Sequence, residues 1–153
     1  MSKLSESEHV SLLNRVSAAV SAILLVLHFV PFWKYGDGMS ASIGGLVWLP
    51  YNHTGLTAEL AASIEGFTVD SLAGRSALLC ILCLAALFFC LLNSEKYMFS
   101  LLPISAGIAG VWAFLSSPAL RLGSGWIIQL VLSVLLLLVG ILTFLMGLKS
   151  EKA

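Results

Sequence analysis

The sequence predicts an all-α membrane protein: a four-transmembrane-helix bundle with a long outer loop between helices 1 and 2. Three observations predict it. Four apolar stretches, residues 16–30, 76–92, 97–115 and 126–148, contain no Asp, Glu, Lys or Arg. The composition is 59% hydrophobic and only 10% charged, with a mean hydropathy of +1.00, whereas soluble domains carry roughly 25% charged residues. No apolar/polar alternation of period two appears, so a barrel is not predicted, and lipid leaves the backbone of a spanning segment no internal solution but the helix.

A hydrocarbon core of about 30 Å needs roughly 20 helical residues. The stretch 126–148 meets that length, and 97–115 nearly does. The first reaches it by adding Leu12, Leu13 and Pro31 to Trp33; the second does so by borrowing from 70–75, where Asp70 or Ser71 supplies a helix cap. The predicted organisation is a single integral membrane domain over 1–153. Its spans lie at about 12–33, 71–92, 97–115 and 126–148, with the outer loop at 34–70 and a short polar tail, rich in Ser and Glu, over 1–9. The first span ends in Pro31-Phe32-Trp33-Lys34 rather than at a small-residue cleavage site, so it reads as a retained anchor.

Basic residues set the expected orientation. With both termini cytoplasmic, Lys3, Arg15, Lys96, Lys149 and Lys152 lie inside and Lys34, Arg75 and Arg121 outside, in agreement with the positive-inside tendency. The tryptophans Trp33, Trp48, Trp112 and Trp126 then fall at or beyond the outer face. The expected location is the plasma membrane. A formal net charge of zero argues against a nucleic-acid partner.

Between spans two and three, Asn93-Ser94-Glu95-Lys96 predicts a tight turn and antiparallel neighbours. Pro118, Gly123 and Gly125 break the link between spans three and four. The connection 31–74 is longer than a link requires. Its first part, 36–50, reads as extended or hairpin-like. In the second part Leu56, Leu60, Ile64 and Phe67 share one helical face, with Thr57 as N-cap and Gly66 as stop, so this part is expected to lie on the membrane interface.

Within the spans, small residues such as Ser17/Ser21, Ala18/Ala22, Ser105, Ala106, Ala109, Gly110, Ala113, Gly140 and Gly147 predict close approach of helix backbones, within the chain or across a homodimer face. His28 and Gln129 are expected to bond neighbouring helices, and Pro103 to kink span three. No carboxylate lies near a span centre, where ion coupling commonly needs one, and no Ser/His/Asp set, paired acids, metal-ligand spacing or phosphate-cradling loop appears. The predicted catalytic, cofactor-binding and metal residues are therefore none. The function expected is that of a small non-catalytic multi-pass accessory or interaction subunit. It would present its first outer loop to a protein partner, or to a second copy of the chain, through Trp33, Tyr35, Trp48, Tyr51 and His53.

Two other functions are weighed. Cys80-Ile81-Leu82-Cys83, a CxxC near the outer start of a helix in a four-span protein, resembles the quinone-linked disulfide oxidoreductases of bacterial membranes. That resemblance implies Cys80 and Cys83 as a redox pair facing a quinone. The sequence departs from that pattern: no loop carries a second cysteine pair, Leu84-Ala85-Ala86-Leu87 follows where the family has an arginine, and the long loop joins spans one and two. Thiols in apolar surroundings also serve as small packing residues. The third function is a small oligomeric channel or exporter lined by Gln129, His28 and Ser133. The segments Phe32-Trp33-Lys34 and Gly45-Leu46-Val47-Trp48 resemble the paired tryptophans in the first loop of the claudin and peripheral-myelin group, without that loop's two cysteines. Asn52-His53-Thr54 is a glycosylation sequon.

Overall fold

A computed structural model of the chain describes residues 6–29, 33–35, 39–41, 69–116 and 126–152. Its elements in order are α1 (Glu6–Phe29), β1 (Trp33–Tyr35), β2 (Met39–Ala41), α2 (Val69–Leu92), a 3₁₀ turn (Tyr97–Ser100) leading into α3 (Leu101–Ser116), and α4 (Trp126–Lys152). The described fold is helical apart from one antiparallel hairpin, in which Trp33 pairs with Ala41, Lys34 with Ser40 and Tyr35 with Met39. Two helices, Ser7–His28 and Ile127–Ser150, are long and apolar enough to cross a membrane, and shorter apolar helices cover Ala77–Leu92 and Tyr97–Ala113.

The first helix differs from the sequence expectation at both ends. It begins at Glu6 rather than at about 12, so residues 6–9 belong to it and not to a tail. It runs to Phe29, and Trp33, expected at the end of the span, stands in β1. At the other end of the chain α4 runs past 148 to Lys152, and Lys149 in its last turn complements the helix dipole.

Helix neighbours follow chain order and then close: α1 packs on α2, α2 on α3, α3 on α4, and α4 back on α1. All four pairs run antiparallel. The Asn14 amide of α1 donates to the carbonyls of Ser94 (2.8 Å) and Lys96 (3.2 Å) just past α2. Gly140 and Gly147 of α4 face Ile104 and Tyr97 at the beginning of α3 and in the 3₁₀ turn. The start of α1, the 93–96 turn and the end of α4 therefore share one end of the molecule, here the turn end. The opposite end, where β1 and β2 follow α1, is the loop end.

The reason for this packing is a seven-residue period. The buried positions of α1 include Val10, Asn14, Ser17, Ser21, Leu24 and His28, with Ala18 and Val20 beside them; those of α4 are Gln129, Ser133, Leu136, Gly140, Thr143 and Gly147; those of α2 include Leu79, Cys83, Ala86 and Cys90. Steps of four and three alternate along each, the spacing that keeps a seam facing a neighbour at a shallow crossing angle. What the seams bury is mostly small or polar, Leu24, Leu79 and Leu136 being the large exceptions, and what they leave outside is large and apolar, including Ile23, Val26, Ile81, Phe88, Ile108 and Leu138. This inverts the arrangement of a water-soluble protein.

Two local devices fix the helix ends. Pro103 does not kink a mid-helix turn; it is buried in the first turn of α3, where a missing N–H is tolerated. It has no N–H to return to the Phe99 carbonyl, and the Cys90 thiol donates to that carbonyl at 3.5 Å while Phe89 and Phe99 stack beside it. At the loop end the Arg75 guanidinium donates to the Ser116 carbonyl at 2.8 Å, capping the C-terminus of α3, and lies over the Trp112 ring at 5.1 Å. Replacing Arg75 by Ala is expected to lower stability by about 2 kcal/mol, the sum of one charge-assisted hydrogen bond and one cation–π contact. Arg75→Lys should recover only part of it, since an ammonium cannot stack as a planar fork. Unfolding titrations of the purified variants measure both.

Candidate functional site

The candidate site is the polar seam inside the helices. It begins at the turn end with Asn14, whose amide nitrogen is held by the two carbonyls beyond α2, while the Ser11 hydroxyl donates to that of Ser94 at 3.0 Å. One and two turns further along the same face come Ser17 and Ser21, then Leu24, then His28 near the end of α1. On α4 the matching antiparallel series is Thr143, Gly140, Leu136, Ser133 and Gln129. Leu24 and Leu136 belong to one apolar cluster with Val20, Leu79, Cys83 and Ala106. One turn beyond that cluster, towards the loop end, lie His28 on α1 and Ser133 on α4.

The hydroxyls of the helices behave in two ways. Ser105, Ser116 and Thr143 each donate to the carbonyl four residues back, those of Leu101, Trp112 and Val139, at 2.6–2.8 Å. Such back-bonding is the ordinary resolution for a helical hydroxyl. The hydroxyl oxygens of Ser17, Ser21 and Ser133 do otherwise: they are buried with no hydrogen-bond partner among the described residues, as are Asn14 Oδ1 and Gln129 Oε1.

The residues predicted from sequence fall in three places. Cys80 is half-buried and Cys83 is fully buried within the apolar cluster; all three cysteines are free thiols. His28, Gln129 and Ser133 are each buried, on α1 and α4. Trp33 and Tyr35 stand on β1, whereas Trp48, Tyr51 and His53, the helical face 56–67 and the sequon lie outside the described residues. Among the described residues no group of three or more His, Cys, Asp or Glu side chains is placed to hold a metal ion. At the turn end an open groove of about 420 Å³ is lined by Ser7, Glu8, Ser11, Arg15 and Glu95, charges of both signs facing outward.

Sequence reasoning missed Asn14, Ser100 and Thr143, and read Ser17 and Ser21 only as small residues. The signal that would have found Asn14, Ser17 and Ser21 is the alternation of four and three that joins 10, 14, 17, 21, 24 and 28, and the same alternation on α4 reaches Thr143.

No family model matches the chain, and comparison with curated proteins and with solved structures finds no significant match. Function rests on the residues.

Proposed function

We propose that this chain is a four-span integral membrane protein of the plasma membrane, with both termini cytoplasmic. In this reading it serves without catalysis as an accessory or interaction subunit, presenting segment 34–70 to a protein partner. The observation that carries it is the inverted distribution of side chains: large apolar groups cover the outer faces of all four helices, and small and polar groups fill the seams. In water such faces would associate indiscriminately; in lipid they are solvated, and helices cohere through close backbone approach and polar contacts instead.

The orientation has its own support. Arg15, Lys96, Lys149 and Lys152 belong to the turn end, so basic residues of both terminal helices and of the 93–96 turn gather on the side assigned to the cytoplasm. Specificity towards a protein partner then falls to the opposite end, because lipid-facing Leu, Ile, Val and Phe discriminate poorly. Segment 34–70 carries the aromatic and polar residues Tyr35, Trp48, Tyr51 and His53, next to Trp33.

The test is affinity purification from native membrane in mild detergent, comparing the wild-type chain with one whose residues 34–70 are scrambled. Loss of the specific co-purifying proteins is expected. An unchanged set of partners would refute the assignment of the segment as the contact.

A further inference from the structure

Beyond that reading lies the question of what the buried polar atoms bind. We infer that the interior holds two separate sites for ordered water, one on each side of a dry apolar layer. The layer is the cluster of Val20, Leu24, Leu79, Cys83, Ala106 and Leu136, contributed by all four helices. On its turn-end side α1 offers Asn14 Oδ1 and Ser17 Oγ, with Ser21 Oγ at the edge of the layer between Val20 and Leu24; on its loop-end side α4 offers Ser133 Oγ and Gln129 Oε1. Each is buried, and each lacks a hydrogen-bond partner among the described residues.

An unsatisfied buried polar atom costs about 1–3 kcal/mol. Five of them would cost about 5–15 kcal/mol, as much as the whole stability of a typical domain. They therefore need partners that the described side chains do not provide. The Asn14 amide nitrogen is already committed to Ser94 and Lys96, which leaves its Oδ1 as an acceptor. Hydroxyls donate and accept, so the missing partner must do both, and it must fit beside Ser17 and Ser21 on α1. A cation is disfavoured because the interior positions of the helices carry no carboxylate. Water meets each requirement, with two to four polar neighbours per molecule. The dry layer keeps the two sites apart: Leu24 and Leu136 supply no polar atom, and a hydrophobic constriction between wet compartments excludes water from itself. The inference concerns the interior and does not depend on what segment 34–70 binds.

Water-to-protein magnetisation transfer in isotopically labelled protein, measured in lipid nanodiscs by solid-state NMR, reads this directly. Rapid transfer is expected at Ser17, Ser21 and Ser133, with slow transfer at Leu24 and Leu136. The double variant Ser17→Ala, Ser21→Ala should lose the turn-end signal and keep that of Ser133, while Ser133→Ala should do the reverse; unchanged shifts at Leu136 verify the fold of each variant. Slow transfer at all three serines, with their hydroxyls bonded back to helix carbonyls, would overturn the inference. So would rapid transfer at Leu24 and Leu136, or loss of both signals in the double variant, since either means one continuous path.

Discussion

Replacing Gly107 by Val should lower stability by about 3 kcal/mol, near the upper range for overpacking a well-filled interior. A Cβ at this position meets the backbone nitrogen of Leu137 at 2.7 Å and the carbonyl oxygen of Ser133 at 2.8 Å. Both are α4 main-chain atoms and cannot rotate away, so α3 and α4 must separate. Gly110 makes an informative contrast. A Cβ there collides with the side chain of Ser133, and the next nearest atom is Leu79 Cδ1 at 3.6 Å. Gly110→Ala should therefore be destabilising alone and recover about 1 kcal/mol when combined with Ser133→Gly, a coupling of the size seen for residues in contact. The same second substitution should leave Gly107→Val unrelieved. Equilibrium unfolding of the purified variants in detergent measures the cycle. A Gly107→Val protein as stable as wild type would mean that α3 and α4 do not approach as described.

The helices were legible in the sequence because charge-free apolar runs are long and unambiguous, and the turn at 93–96 because four polar residues interrupt them. The Lys96 N–H bonding to the Asn93 carbonyl at 3.0 Å is that turn. The packing was less legible. In a water-soluble helix the buried face announces itself by hydrophobicity, but here the buried face is the smaller and more polar one, so the signal lies in the positions of Ser, Gly, Ala and Cys. Ala106, Ala109, Gly110 and Ala113 could be read as a packing surface, and they are buried. Ser105, grouped with them by the same small-residue reasoning, is exposed and bonds back to Leu101. Asn14 was missed although it falls within the expected span 12–33, because it lies outside the uninterrupted apolar stretch 16–30, beside Arg15, whereas α1 carries Asn14 in its regular seam and Arg15 on its surface. Cys80 and Cys83 show the limit of motif reading, since spacing alone does not say that the second thiol joins the apolar cluster.

The outward faces provide the decisive comparison between water and lipid. Leu138 lies at the middle of α4 and is 59% exposed. If that face met water, Leu138→Arg would change stability by no more than about 0.5 kcal/mol, as surface substitutions usually do. If it meets hydrocarbon, a guanidinium at the centre of the span costs about 2.5–3.5 kcal/mol on insertion. At a factor of ten for every 1.4 kcal/mol, that is roughly a hundredfold shift against the integrated form. We expect the second outcome, seen as a collapse of the alkali-resistant membrane fraction when the variant is expressed in native membranes. Leu138→Met, apolar and of similar volume, should remain integrated. Lys149 of the same helix already bears its charge at the turn end, where a long side chain reaches the interface, so Lys149→Arg should also be silent. The effect must therefore depend on depth along α4, not on positive charge as such. An integrated and stable Leu138→Arg protein would remove lipid from the outer faces, and the four-span reading with it.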